Sequence, residues 1–226
     1  MNAHTHPDLT TLPGTAWQDT GPATGLRFTP VRTGIHLGTA RSGAPVTLPA
    51  PGPAGFRAGV LGESLFGRLF ALRLLAVGAR VTAATRVPEQ WTSLSEAAGP
   101  RLTITDSPAG WPPEEPAPPT VGGGPQALVS DLRRPPPAST ASGTWRTVLH
   151  VTRGAPRRSV FWNSTDAVLV LDARFAEAAG RVLGQRAAAA AGALRPGEIA
   201  LFRGGGAEVL RPDISPGETA LLTPGG

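Results

Sequence analysis

Residues 56–86 constrain the fold more than any other stretch of the chain. An apolar run ends at Leu61, a turn opens on Gly62, an apolar helix-period run covers 65–76, Gly78 follows, and a second apolar run covers 80–85. Strand, glycine turn, helix, capping glycine and strand make a βαβ unit, the building block of nucleotide-binding α/β folds. Leu65, Phe66, Leu69, Phe70, Leu72, Leu74 and Leu75 give the helix a face wide enough to pack on a sheet. The turn, residues 62–69, has the spacing of a phosphate-binding loop, G-x-x-x-x-G-K-[ST]. Arg68 stands in place of the lysine, however, and Leu69 in place of the Mg²⁺-binding hydroxyl. The expectation is a nucleotide-site shape without catalytic chemistry, and no catalytic residue is assigned.

In a working loop of this kind, backbone N–H groups and the helix N-terminus hold the phosphates while lysine reaches the terminal ones. Glu63 opposes that, because a carboxylate at the opening repels phosphate. Arg68 attracts anions, but its planar fork does not reproduce a lysine's reach. The same turn also reads as an incomplete dinucleotide fingerprint, with Gly62, Ser64 and Gly67 at the G-x-G-x-x-G positions and Ser64 where the pyrophosphate needs a glycine. Arg86, after the second strand, suits a 2′-phosphate. Candidate binding residues for a nucleotide or NADP are therefore Gly62, Ser64, Gly67, Arg68 and Arg86, against the plainer reading of a packing turn that holds no cofactor.

Asp131 ends the apolar run 127–130, where a Mg²⁺-binding aspartate of an ATPase would sit, and Leu132 follows where an acid is usual. Asp106 and Asp172 also end strands. Such aspartates are more often turn or cap residues than metal ligands. No metal site is expected. His4 and His6 lie in the N-terminal stretch, and His36 and His150 are isolated on strands. Trp17, Trp91, Trp111, Trp145 and Trp162 fall in loops or at element edges, with Trp91 and Trp111 offered as interface anchors.

Along the rest of the chain, residues 1–25 read as a disordered polar tail and 26–226 as a single α/β domain. A hairpin over 34–48 precedes the βαβ unit. Short apolar strands at 101–105, 127–132, 145–151 and 167–171 fit a parallel sheet covered on both faces. The run 175–193 reads as one alanine-rich helix, 199–210 as a closing hairpin and 219–222 as an edge strand. Residues 107–124 and 133–142 are loops rich in proline and glycine. The expected architecture is a three-layer sandwich with a mainly parallel sheet, degenerate P-loop or Rossmann-like, extended by terminal hairpins.

Composition narrows function. All 21 basic residues are arginine, and cysteine and tyrosine are absent. That bias suggests a GC-rich genome of the actinobacterial kind, and it excludes disulfides and thiolate chemistry. The net charge of +5 is spread over dispersed arginines with few aromatics, so nucleic acid is not expected as a partner. No secretory leader or membrane span is read, and a cytoplasmic location follows, peripheral to the membrane at most.

The strings Gly34-Ile35-His36-Leu37-Gly38, Gly43-Ala44-Pro45-Val46 and Gly78-Ala79-Arg80-Val81-Thr82, with the turn at 60–67 and Trp91, carry a resemblance. In the second half it rests on Trp145-Arg146-Thr147-Val148-Leu149, Ala167-Val168-Leu169-Val170-Leu171 and Leu201-Phe202-Arg203. The chain resembles small actinobacterial proteins associated with type VII secretion and, more loosely, the nucleotide domains of translocase-type secretion ATPases. The resemblance implies a non-catalytic accessory or structural component whose partners are secretion-apparatus proteins. The ATPase residues do not carry over, since Arg68 and Leu69 replace them.

Overall fold

The computed structural model describes residues 34–120, 123–157 and 159–223. The tail read at 1–25, with His4, His6 and Trp17, lies outside the described residues. The chain builds a ten-stranded sheet. Its strands are β1 (Ile35–Ala40), β2 (Pro45–Leu48), β3 (Phe56–Leu61), β4 (Arg80–Ala84), β5 (Leu102–Thr105), β6 (Gln126–Ser130), β7 (Arg146–Thr152), β8 (Ala167–Val170), β9 (Ile199–Arg203) and β10 (Gly206–Pro212). The helices are α1 (Ser64–Ala76), α2 (Thr92–Ala98), α3 (Val160–Asn163), α4 (Ala176–Leu183), α5 (Gln185–Gly192) and α6 (Pro216–Leu222).

The spatial order is β2-β1-β10-β9-β8-β3-β7-β6-β4-β5. Strands β8, β3, β7, β6, β4 and β5 run parallel. The terminal hairpins join each other through β1 and β10 and extend the β8 side as antiparallel strands. The central strands β6 and β8 are buried end to end and β3 everywhere but at Arg57, in keeping with their apolar runs. One core cluster, with Phe70, Leu74, Trp91 and Leu94, lies under α1 and α2. The other, with Phe161, Trp162, Phe175 and Ala191, lies under α3, α4 and α5. The three-layer sandwich with a mainly parallel sheet is thus observed.

Strand order decides between the two nucleotide folds left open by the sequence. In the dinucleotide fold the strands of the first βαβ unit are neighbours. Here β3 and β4, joined through α1, have β7 and β6 between them. The Rossmann arrangement does not apply.

Three local expectations change. The stretch 219–222 is helix, because Ser215 and Glu218 form a reciprocal capping box and Pro216 occupies the first turn. The run 175–193 breaks at Gly184, whose φ of +93° no helix accommodates. The resulting α4 and α5 pack on each other, Gly180 facing the methyl of Ala188. Trp91 and Trp111 are not free anchors: Trp91 is fully buried, and Trp111 packs half-buried against the second cluster with its indole nitrogen enclosed.

Candidate functional site

The site expected from sequence lies at the carboxyl end of β3. Strand β3 stops at Leu61 and α1 starts at Ser64, so only Gly62 and Glu63 separate them. A phosphate cradle needs a loop of free N–H groups between strand and helix. Here α1 has absorbed most of that loop, and the spacing of Gly62 and Gly67 does a different job. A Cβ on Gly62 would lie 2.1 Å from Leu171 Cδ1. One on Gly67 would lie 3.0 Å from Val151 Cγ2 and 3.3 Å from Val129 Cγ1. Both glycines let α1 approach the sheet closely.

The polar candidates face inward. Ser64 is buried, and its hydroxyl donates to Asp131 Oδ2. Asp131 is anchored in turn by its N–H, which donates to the Ala84 carbonyl at 2.8 Å. Burial pushes the Asp131 carboxyl up from its ordinary pKa, a shift that the Ser64 hydroxyl opposes. The aspartate at the Mg²⁺-binding position is therefore engaged by an internal serine. Arg68 is buried and donates to the carbonyl of Gln90, and burial lowers its pKa. Leu69 is buried in the interior. Arg86 is exposed, 3.6 Å from Asp106. Of the five candidate binding residues, Gly62, Ser64, Gly67 and Arg68 lie on one turn with internal contacts, and Arg86 stands apart.

At the mouth itself stands Glu63. It is the N-cap residue of α1, and its carboxylate meets Arg153 Nε at 3.0 Å and Arg174 Nη2 at 2.7 Å. The N-terminal end of a helix dipole favours that negative charge. Arg174 is steadied by its own N–H, which donates to Asp172 Oδ1 at 2.8 Å, and by its guanidinium over Phe175 at 4.9 Å. Asp172 is thus a cap. A cavity of about 370 Å³ opens alongside, lined among others by Glu63, Arg153, Arg174 and Glu177. Arg153 and Arg174 were not legible as site residues. Arg153 directly follows β7 and Arg174 lies a few residues beyond β8, and only the order β8-β3-β7 brings them to Glu63.

The two described histidines serve the fold. His36 Nε2 lies 2.8 Å from Asp213 Oδ2. His150 is enclosed edge-on by Phe161 and Trp162, with ring centroids 5.6 and 5.8 Å away. That burial pushes its pKa down to about 4. Gly59 makes room for the neighbouring ring, since a Cβ there would fall 2.1 Å from Trp162. Among the described residues no group of three His, Asp or Glu side chains could hold a metal ion.

Comparison of folds now places the chain. The pCW3 conjugation coupling protein TcpA superposes on 81% of this chain and 66% of its own, with a TM-score of 0.56 and 11% identity. The genome packaging NTPase B204 of Sulfolobus turreted icosahedral virus 2, in complex with AMP, covers 72% of this chain and 99% of its own at a TM-score of 0.50 and 7% identity. These structural neighbours are P-loop NTPase-like domains, and the likeness is one of fold. The cytoplasmic domain of the type VII secretion ATPase EccC from Thermomonospora curvata aligns over 80% of this chain and 28% of that one, at 13% identity. Its TM-score of 0.47 is too loose to carry an argument. No protein-family model matches the sequence, and no curated protein does. Identities this low speak to fold alone. Among the described residues no helix is long and apolar enough to cross a membrane.

Proposed function

We propose that this chain is a non-catalytic P-loop-like domain that acts through protein–protein contact, as an accessory or structural component of a type VII-like secretion assembly. One observation carries the non-catalytic part: the Glu63 carboxylate sits at the N-terminus of α1 between Arg153 and Arg174, in the space a phosphate would need. The buried Leu69 and the Ser64–Asp131 hydrogen bond support it, because each uses internally a position that catalysis would need open. The secretion assignment rests on the sequence resemblance, and the P-loop-like fold agrees with it.

Thermal shift with ATP–Mg²⁺, ADP, NAD and NADP tests this reading, both on the wild type and on the repaired variant Arg68→Lys with Leu69→Ser. A ligand at a hundred times its dissociation constant stabilises by about 2.7 kcal/mol. The expected result is no shift in either protein. The variant should also be less stable by about 2–5 kcal/mol, because it replaces a packed leucine. A clear shift with any of the four ligands would overturn the non-catalytic scaffold. Failure to co-purify with secretion-apparatus proteins from the native host would remove the secretion assignment.

A further inference from the structure

Acidic residues disappear from one continuous part of the chain. Between Asp131 and Asp166 there is no Asp or Glu, while Arg133, Arg134, Arg146, Arg153, Arg157 and Arg158 all fall there. The fold gives this asymmetry a place. Strands β6 and β7 are parallel neighbours, so the segments leaving them start side by side at the carboxyl edge of the sheet. Arg133 and Arg134 follow β6 by a few residues, and Arg153 and Arg157 lie between β7 and α3. All four are exposed. Among the described residues, Arg133, Arg134 and Arg157 make no ion pair, whereas Arg153 is held by Glu63. The arginines that look dispersed along the sequence are gathered here by topology.

The structure assigns this arginine face, on the β6–β7 and β7–α3 loops, as the docking surface for an acidic segment of a partner protein. The assignment rests on the protein–protein reading above and names the chemistry of the partner. Guanidinium forks pair with carboxylates in bidentate fashion, which suits a run of Asp or Glu side chains. Two carboxylates bordering the face are Glu63, already shared by two arginines, and Asp131, already hydrogen-bonded to Ser64. A duplex, with one charge per about 1.7 Å of axis, would meet them along with the arginines. A short acidic peptide engages only the arginines. Phe161 and Trp162, which follow the β7–α3 loop, are buried in the second core cluster and offer no stacking face to a single strand.

Fluorescence polarisation of labelled decaglutamate tests this, with decaglutamine and a short DNA duplex as parallel probes. The full chain should bind decaglutamate, salt-dependently, and decaglutamine not at all. Arg133→Glu with Arg134→Glu should weaken decaglutamate binding by about tenfold or more. Arg157→Glu alone should weaken it less, giving an independent reading should the double variant fold poorly. Arg186→Glu, at an exposed position of α5 beside the amino end of β8, should leave it unchanged. Tighter binding of the duplex than of the peptide would overturn the assignment, as would an equal loss in Arg186→Glu or no binding of decaglutamate. A nucleotide shift in the earlier experiment would leave these outcomes untouched, so the two readings fail separately.

Discussion

Where the terminal hairpins meet α1 and α6, charge is turned inward. Arg73, 12% exposed, pairs through Nε with Glu218 at 2.7 Å and donates to the carbonyls of His36, Leu37 and Asp213. Nearby in the same antiparallel part, the Glu198 side chain, 3% exposed, accepts from Arg41 and from the Arg195 N–H. The Arg41 hydrogen bond, with the Arg195 N–H behind it, holds the Glu198 carboxyl down at about 2. At the mouth of β3 the same kinds of residue are turned outward. Glu63 is 46% exposed and its partners Arg153 and Arg174 are 58% and 59% exposed. Buried charges cannot lose a partner cheaply, whereas exposed pairs contribute little. The difference separates what holds this molecule together from what it leaves available. The buried charges of the hairpin side, Arg73, Glu218 and Glu198, are structural, and the exposed pairs at the mouth are replaceable.

Arg73→Met should break the comparison most severely if the hairpin side is structural. The substitution keeps the aliphatic stem but removes the guanidinium from Glu218, which retains only the Ser215 N–H, and from three carbonyls. The cost should be about 3 kcal/mol, the low end for breaking a buried pair. At about 2–4 °C per kcal/mol for a chain of this size, the fall in thermal midpoint is easily measured. An unchanged midpoint would mean that the inward network carries no more than the outward one.

His150 lies in the core on β7 and gives a pH signature. Its folded pKa of about 4 lies below the ordinary value of 6.5, so the unfolded chain takes up the proton first. Stability from this group is therefore complete above pH 6.5, falls as pH drops, and is fully lost below pH 4. Between pH 7 and pH 5 the loss should be about 2 kcal/mol. Denaturant titrations of wild type and His150→Gln should differ in slope across that window. Parallel pH profiles would show that burial does not keep this ring neutral.

Much of the architecture was legible because period and punctuation reflect burial directly. Apolar strands without alternation announced a covered parallel sheet, and Gly78 marked the end of α1. Leu69 read correctly as a packed residue. The tail helix was missed because Thr219, Ala220, Leu221 and Leu222 alone look like a strand. The decisive cap, Ser215 with Glu218, lies just upstream. The packing partners of the turn were hidden for a different reason. Gly62 and Gly67 keep the spacing of a phosphate loop, but spacing does not say where the helix begins. Leu171, Val151 and Val129, which account for both glycines, come from other strands. Likewise nothing near Glu63 in sequence points to Arg153 or Arg174, which only strand order supplies.

The smallest expected effect is the sharpest test of the comparison. Glu63→Gln removes the negative charge at the mouth, keeps its size and leaves Arg153 and Arg174 free to be solvated. For pairs this exposed the loss should not exceed about 1 kcal/mol. High salt should erase most of that difference, because screening weakens the wild-type pairs and leaves the glutamine unaffected. Denaturation of both proteins at low and high ionic strength measures both quantities together. A loss equal to that of Arg73→Met, insensitive to salt, would make the mouth structural. Glu63 would then be a brace joining the ends of β3, β7 and β8, and the arginines beside it would not be available to a partner without unfolding that edge.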